Sequence, residues 1–295
     1  MKYEVVLKKW LADQRTYQKY STYTCYANIV ENHLLPHLGQ LDEVTTDIVQ
    51  DLALRLLESG NRATGGGLSQ SFVRDILTVI KITCPNVGEI RLPYEPPKEI
   101  EIFNQSEMVA LVNYLQSCQT PKSVGVLLTI HTGIRIGELC ALQWSDVDLT
   151  ARVLHIRKTI IRTYTKSDGS RLSITPPKSK ASIRTIPFNS WICHLLSLQQ
   201  KGDDCYIITG NKRPQEPGKY RIWYNQQLRQ LGIPHRKFHC LRHTFATNCI
   251  ACGCDYKSLS QLLGHANVTT TMDLYVHPQM ELKRQCVEHL AGLYV

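Results

Sequence analysis

The sequence predicts an α+β protein with two parts: an N-terminal helical bundle, and a mixed, mainly helical domain that carries a small antiparallel sheet. Apolar residues recur at helical spacing through much of 1–91. Short runs rich in β-branched residues occur instead within 153–187. Between these regions, 92–98 contains three prolines, which favour extended backbone and exclude helix. We therefore expect domains at 1–91 and 99–295, joined by a proline-rich linker at 92–98.

The N-terminal region contains four segments with an apolar stripe at helical spacing. They span 3–12, 21–35, 46–57 and a stretch through Lys81 that Ser69 or Ser71 opens. We expect the second helix to end at Pro36, with Gly39 just beyond it. Three consecutive glycines at 65–67 indicate a loop before the last helix. Four short helices that pack together would form a small bundle.

The second region begins with two helices that lead to an arginine. Asn104 and Glu107 have the spacing of a capping box, which predicts a helix through residue 115. The apolar stretch 124–130 predicts the next helix, which runs to Gly133. Arg135 is then presented just after a turn, and a short helix continues from it.

Four runs rich in β-branched residues predict the antiparallel sheet. They lie at 153–156, 159–161, 172–175 and 183–187. The last two runs frame a turn that contains Lys178 and Lys180, so we expect a lysine-bearing hairpin. Further helices are predicted at 189–199, 219–231, a segment that ends near 251, 256–263, 270–275 and 281–290. The last of these is amphipathic.

Charge and hydropathy restrict the class of protein. The formal net charge of +9 favours an anionic partner, and nucleic acid is the first candidate. Almost all the basic excess lies after Lys98. A membrane span needs a run of about 18 apolar residues, which the sequence lacks, and its first ten residues are too mixed for a secretory signal. We expect a cytoplasmic protein without a membrane segment.

Eleven cysteines are many for such a protein. An odd count without a secretion signal argues against a disulfide framework. Cys249, Cys252 and Cys254 form a cluster, but a second ligand pair at zinc-site spacing does not accompany it. We interpret the three as buried structural thiols and expect neither a metal nor a cofactor.

The C-terminal third places four chemically active side chains in helical contexts. His239 and Arg242 are three residues apart, so they share one face of a helix. The guanidinium fork suits a phosphate, and an imidazole can move a proton near neutral pH. His265 follows a glycine that indicates a turn, and Tyr275 supplies a hydroxyl that can act as a nucleophile. This combination indicates attack on a phosphodiester.

The order of these motifs resembles the tyrosine recombinase (phage-type integrase) family. Five stretches carry the resemblance: Thr132-Gly133-Ile134-Arg135-Ile136-Gly137-Glu138-Leu139, Thr175-Pro176-Pro177-Lys178-Ser179-Lys180 with Arg184-Thr185-Ile186-Pro187, His239-x-x-Arg242-His243, Leu263-Gly264-His265, and Tyr275-x-His277. Several ordered motifs at compatible spacing are specific in combination, and the resemblance covers nearly the whole chain.

The resemblance implies a site-specific DNA recombinase, with a core-binding domain at 1–91 and a catalytic domain at 99–295. Tyr275 would attack a DNA phosphodiester, form a 3′-phosphotyrosyl link and release a 5′-hydroxyl. Arg135 and Arg242 would stabilise the charge of the transition state. His239 would act as base and later as acid. The ester keeps the bond energy, so the reaction needs neither ATP nor a metal.

The resemblance also assigns the remaining site residues. Lys178 would protonate the leaving alkoxide, with Lys180 as the alternative on the same segment. His265 would hydrogen-bond the scissile phosphate, and Glu138 would orient Arg135 or another basic member of the site. His243 and His277 flank the site as supporting residues.

The implied partners are a double-stranded recombination site, further copies of the chain in a tetramer on two duplexes, and an accessory DNA-bending or directionality protein. Two other functions stay open: DNA relaxation like that of type IB topoisomerases, and DNA binding without cleavage. The sequence leaves open the target DNA, the direction of the reaction, and whether an arm-binding domain precedes this chain.

Overall fold

The computed structural model describes residues 1–62, 64–96, 100–177, 179–275, 284, 287 and 288. The chain divides into two compact units. Unit 1 comprises Met1–Lys98 and Thr163–Arg171, and unit 2 comprises Glu99–Arg162 and Leu172–Val295. Each unit has its own apolar core. The helices in the described residues are too short or too polar to cross a bilayer.

Unit 1 contains the predicted helical bundle. Its helices are α1 (Tyr3–Tyr17), α2 (Tyr20–Ile29), α3 (Leu35–Leu38), α4 (Thr46–Ser59) and α5 (Gln70–Thr83). Their apolar stripes meet in a core that includes Leu7, Leu34, Leu52 and Ile76. Ser69, one of the two predicted openers, caps α5 by accepting a hydrogen bond from the backbone of Phe72.

The prediction that the second helix ends at Pro36 is wrong. A π-helical turn at Val30–Leu34 links α2 to α3, which continues to Leu38 with Pro36 in its first turn. Leu35 donates its N–H to the carbonyl of Val30, five residues back. Within a regular α-helix a proline lacks a donor and collides with the carbonyl four residues earlier. The wider turn changes the hydrogen-bond spacing just before the proline, so the chain continues as helix.

Unit 2 is mainly helical. Its helices are α6 (Gln105–Cys118), α7 (Pro121–Thr132), α8 (Ile136–Ala141), α9 (Ser190–Ser197), α10 (Pro217–Gln230), α11 (His239–Ala251), α12 (Tyr256–Leu263) and α13 (Val268–Tyr275). The predicted capping box opens α6: Glu107 donates its N–H to the Asn104 side chain at 2.8 Å, and Asn104 donates its N–H to the Glu107 carboxylate at 3.0 Å. Most of the length of α7 is buried in the core.

Five short strands form two small sheets. They are β1 (Val147–Asp148), β2 (Val153–Ile156), β3 (Thr159–Thr165), β4 (Gly169–Thr175) and β5 (Arg184–Pro187). The first sheet has the antiparallel order β1-β2-β5, with Leu154 opposite Ile186, and the second pairs β3 with β4.

The expected hairpin around the lysines is wrong for the described residues. The strands on either side of that segment, β4 and β5, belong to different sheets. Leu154 and Ile186 both enter the core of unit 2, so β5 pairs with β2. The turn before Gly169, whose φ is +69°, directs β4 to β3. The residues between these strands, 176–183, contain Lys178 and Lys180, and we call them the lysine segment. This segment therefore connects two sheets.

Candidate active site

Arg242 lies at the centre of the polar cluster in unit 2. It is on α11 and is only 1% exposed. Its Nη1 donates to the carbonyl of Gly133 at 2.8 Å, and its Nη2 donates to the carbonyl of Leu263 at 2.7 Å. These carbonyls belong to the C-terminal ends of α7 and α12, where helix carbonyls have no partner within the helix. Arg242 therefore fixes both helix ends and keeps its positive charge beside them.

Glycine is required where α7 ends. Gly133 has a φ of +63°, and a Cβ there would lie 2.5 Å from the ring of Phe245. Phe245 is on α11, so α7 and α11 approach closely at this point. The sharp left-handed turn allows Arg135 to follow at the start of α8.

Arg135 and Glu138 hold each other at the start of α8. Arg135 donates its backbone N–H to one oxygen of the Glu138 carboxylate at 3.0 Å and its Nη1 to the other at 2.9 Å. Its Nη2 donates to the carbonyl of Gly264 at 3.2 Å. The Arg135 side chain is 34% exposed, whereas that of Glu138 is 4% exposed. The carboxylate thus holds the guanidinium from beneath and leaves part of it open to solvent.

Arg184 belongs to this cluster, although it was not predicted as a site residue. Its Nη1 and Nη2 donate to the two carboxylate oxygens of Glu138 at 3.0 and 2.9 Å. Its Nε donates to the carbonyl of Leu262 at 2.7 Å. The sequence contained a partial signal: Arg184 lies in the lysine motif, and Glu138 was expected to orient Arg135 or another basic residue. Arg184 is that second residue.

The charge of Glu138 follows from its two arginine neighbours. Burial by itself would raise the pKa of this carboxyl group. The hydrogen bonds and charge of Arg184, together with the charge of Arg135, outweigh burial and lower the pKa below its ordinary value. Glu138 is therefore ionised at neutral pH and balances part of the positive charge around it.

His239 is the first residue of α11 and is neutral at neutral pH. Burial lowers its pKa to about 4, with further lowering from His243, Arg242, Arg135 and His265. The rings of His239 and His243 meet edge to face with centroids 4.6 Å apart. Burial, followed by the charge of Arg242, also lowers the pKa of His243. A neutral imidazole beside guanidinium groups can accept a proton.

His265 lies in the turn between α12 and α13. Gly264, with a φ of +65°, ends α12, and His265 donates its N–H to the carbonyl of Ser260 at 3.1 Å. Its Nδ1 lies 2.8 Å from the hydroxyl oxygen of the buried Thr271. Burial lowers the pKa of His265 to about 4, and the charges of Arg242, Arg135 and Arg184 act in the same direction.

Several predicted residues lie outside what the structure describes. Tyr275 is the last residue of α13, but its side chain is outside the described part, as are Lys178 and His277. Lys180 is exposed at the start of a 3-10 turn, Lys180–Ser182. Of the nine predicted site residues, the structure thus brings together Arg135, Glu138, His239, Arg242, His243 and His265.

The cysteine cluster lies at the end of α11, where the chain leaves that helix. Cys254 donates its N–H to the carbonyl of Cys249 at 2.9 Å, and both side chains pack on a small apolar cluster with Phe245. Among the described residues, His, Cys, Asp and Glu side chains do not gather in threes as metal ligands. Packing accounts for the positions of these two partly buried thiols, whereas Cys252 is exposed, so the prediction of a buried thiol is wrong there.

The site combines three arginines and three histidines with one shared carboxylate. The positive charges favour an anion, and the partly exposed guanidinium of Arg135 can reach one. Neutral imidazoles beside that position can exchange protons. Such a site suits transfer chemistry on a phosphate ester.

Comparison with known proteins defines the family. The model of the phage integrase family matches residues 101–281, and that of the N-terminal SAM-like domain of phage integrases matches residues 2–57. The first match covers more than half of the chain. The chain therefore belongs to the phage integrase family, and the predicted family is confirmed.

Individual relatives are named as a tyrosine recombinase, an integrase and a transposase. A "tyrosine recombinase XerC-like" protein of Caldanaerobacter subterraneus subsp. tengcongensis is 30% identical over 73% of this chain and 59% of its own length. The ICEBs1 integrase of Bacillus subtilis is 22% identical over 99% of this chain and 83% of its own. The transposase of transposon Tn916 from Enterococcus faecalis is 28% identical over 61% of this chain and 48% of its own length. The chain thus spans less than two thirds of two of these relatives.

Solved structures share the fold. The Tn1549 transposon integrase in complex with transposon right end DNA has a TM-score of 0.76 at 20% identity, covering 99% of this chain and 100% of that one. A lambda integrase tetramer bound to a Holliday junction has a TM-score of 0.62 at 15% identity, covering 95% of this chain and 79% of that one. The predicted α+β fold with its N-terminal helical domain is confirmed.

Proposed function

We propose that the protein is a site-specific tyrosine recombinase that cuts and rejoins DNA strands through a 3′-phosphotyrosyl intermediate. The observation that carries this proposal is the convergence of Arg135, Arg242, His239 and His265 in a family that includes tyrosine recombinases. Tyr275 lies on α13, the same helix as Thr271, the partner of His265. Tyr275 is therefore the proposed nucleophile.

The two arginines stabilise charge that develops on the phosphate. Attack by a tyrosine oxygen concentrates negative charge on the non-bridging oxygens. The partly exposed guanidinium of Arg135 would contact the phosphate, and the buried guanidinium of Arg242 would add positive charge from the protein interior. Losing one such preorganised donor costs roughly 100- to 1000-fold in rate.

His239 and His265 serve different purposes. A tyrosine hydroxyl has a pKa of about 10 and needs a base, and neutral His239 is available to take its proton. When the Thr271 hydroxyl donates to Nδ1 of His265, the proton of the ring lies on Nε2. That N–H then donates to a phosphate oxygen.

The leaving 5′-alkoxide needs a proton, which we assign to Lys178. Lys180 is the alternative on the same segment. After cleavage, a 5′-hydroxyl from a partner strand attacks the phosphotyrosyl ester and restores the tyrosine. The ester retains the bond energy, so the cycle is balanced without ATP or a metal ion.

The substrate is a double-stranded recombination site, and the active form is a tetramer on two duplexes. Lambda integrase, which shares the fold, forms a tetramer on a Holliday junction. An accessory DNA-bending or directionality protein completes the proposal. The relatives are bacterial, and bacterial DNA lies in the cytoplasm, so we place the protein there.

The domains divide the work. Residues 1–91 form the proposed core-binding DNA domain, 92–98 the linker, and 99–295 the catalytic domain. The SAM-like match at residues 2–57 supports the first assignment, and the phage integrase match at 101–281 supports the last.

Covalent trapping on DNA tests the function. Nicked suicide duplexes from DNA that flanks the gene are incubated with the parent, with Tyr275→Phe and with Tyr94→Phe, whose target is 87% exposed in unit 1. We expect denaturation-resistant adducts from the parent and from Tyr94→Phe only. An adduct from Tyr275→Phe would refute the assignment of Tyr275 as the nucleophile. Binding without any adduct would favour a non-cutting protein, and relaxation of plasmids without a site would favour topoisomerase activity.

A further inference from the structure

We propose that Arg184 is a positioning residue that holds Arg135, the lysine segment and the turn before His265 in one arrangement. The inference rests on the proposed function and adds a residue to its site. Arg184 is on β5 and its side chain is 6% exposed. Its nitrogens point to protein acceptors, so it acts on the substrate through other residues.

The first contact joins Arg184 to Arg135 through Glu138. One carboxylate oxygen accepts from Nη1 of both arginines, at 3.0 Å from Arg184 and 2.9 Å from Arg135. The other accepts from Nη2 of Arg184 at 2.9 Å and from the backbone of Arg135 at 3.0 Å. Each oxygen is thus shared between the two arginines. Without Arg184, the buried carboxylate would have half its donors and would draw Arg135 towards itself.

The second contact joins Arg184 to the turn that carries His265. Its Nε donates to the carbonyl of Leu262 at 2.7 Å. A Cβ at Gly264 would lie 2.9 Å from Cδ of Arg184 and 3.0 Å from the carbonyl oxygen of Ala181. The turn therefore rests on the stem of Arg184, while Arg135 donates to the carbonyl of the same glycine.

The third contact joins Arg184 to the segment that bears the lysines. Its Nη1 also donates to the carbonyl of Ser182 at 3.1 Å. Ser182 donates its N–H to the carbonyl of Ser179 at 3.1 Å, and the hydroxyl oxygens of these serines are 3.0 Å apart. This closed turn begins one residue after Lys178, so Arg184 holds the end of the proposed proton donor's segment.

Only an arginine can make this set of bonds. Four acceptors are reached by Nε, Nη1 and Nη2 of one planar group. A lysine has one nitrogen and keeps the charge, but it cannot span the carboxylate and the carbonyl of Leu262 together. Arg184→Lys therefore separates geometry from charge.

The kinetic test compares Arg184→Lys with Arg162→Lys. Arg162 also pairs with a glutamate, Glu216, at 2.6 Å, but its side chain lies near the surface. Cleavage of the suicide duplex is measured with protein in excess, alongside DNA affinity and melting temperature. We expect Arg184→Lys to slow cleavage roughly 10- to 100-fold with DNA affinity within about twofold of the parent. The control should keep the parent's rate.

A double variant shows whether Arg184 acts through Arg135. If it acts partly through Arg135, the defects of Arg135→Lys and Arg184→Lys should combine in the double variant to less than their product, and the remaining defect arises at the lysine segment and the turn before His265. Defects that multiply in full, or a loss of rate that follows a loss of DNA affinity and of folded protein, would overturn the inference.

A readout that needs no cleavage separates this inference from the proposed function. In protein labelled with ¹⁵N-arginine, the Nε–H signal of Arg135 is identified by its loss in Arg135→Lys. We expect Arg184→Lys, but not Arg162→Lys, to shift that signal. A shift in a protein that makes no adduct would uphold the positioning role and refute the recombinase proposal. An unchanged signal would refute the positioning role, whether or not the parent cleaves DNA.

Discussion

The Nδ1 atom of His265 lies 2.8 Å from the hydroxyl oxygen of Thr271. Thr271 is buried in α13, and Tyr275 follows it by one helical turn. The bond thus links the turn proposed to hold the phosphate to the helix proposed to carry the nucleophile.

Replacement of Thr271 by valine should slow strand cleavage roughly tenfold. Valine has a similar shape but neither donates nor accepts, so His265 loses the partner that sets its tautomer. Single-turnover cleavage measures the effect, and Thr270→Val, at an exposed position of the same helix, is the control. Equal rates for the two variants would show that the bond does not matter.

The Glu138→Gln variant should be less stable than the parent by about 3–5 kcal/mol at neutral pH, because it leaves two arginines without their shared carboxylate. The folded-state pKa of Glu138 is lowered, so its stabilisation is present above the unfolded pKa of about 4.3 and is lost as the pH falls through the folded pKa. Denaturant unfolding at a series of pH values should show the gap between parent and variant narrowing in acid. A constant gap down to the lowest pH would contradict this account.

His239 and His265 should titrate near pH 4 in the DNA-free protein. Burial is the main cause of both lowered pKa values, and the surrounding arginines add to it. An unfolded chain takes up these protons near pH 6.5. The contribution of these two histidines to stability should therefore fall as the pH drops from about 6.5 towards 4 and change no further below that pH. NMR titration of the two rings, identified with His239→Gln and His265→Gln, checks the values; midpoints near 6.5 would contradict them.

Gly264→Ala should destabilise the protein more than Gly253→Ala. Both glycines have positive φ, at +65° and +83°, so both variants incur a backbone cost of about 1–2 kcal/mol. Only the first would also place a Cβ against Arg184 and Ala181, whereas Gly253 has open space around it. Thermal unfolding should separate the variants by several degrees. Similar melting temperatures would mean that the turn can move away from Arg184, against the proposed packing.

Lys178→Ala should slow cleavage of ordinary DNA but not of DNA with sulfur at the 5′-bridging position. A thiolate leaves without a proton, since a thiol has a pKa of about 8.5, so the donor becomes dispensable. Lys180→Ala serves as the comparison. If the sulfur substrate restores the cleavage rate of Lys180→Ala instead, Lys180 is the proton donor. If it restores the rate of neither variant, neither lysine is the proton donor.

Local signals predicted the parts of the site that depend on neighbours in sequence. The capping box of Asn104 and Glu107, and the placement of His239 and Arg242 on one helix, follow from helical spacing alone. Glu138 came from the family resemblance, and the structure places it three residues after Arg135, where it caps α8.

Features that depend on distant partners were missed. Arg184 gains its role from acceptors on α8 and α12, which the sequence does not place beside β5. The sheet partner of β5 was misassigned because β-branched runs do not specify which strands pair. Pro36 was read as a helix end, since a π turn depends on packing more than on composition.

The central claim is that Tyr275 becomes joined to DNA, and mass spectrometry of the trapped adduct tests it most directly. Trypsin cuts after Lys257 and Lys283, so Tyr275 is the only tyrosine in its peptide. After nuclease digestion of the parent's adduct, we predict that this peptide carries a nucleotide through its 3′-phosphate on Tyr275. A nucleotide on another residue, or one attached through its 5′-phosphate, would contradict the proposed mechanism.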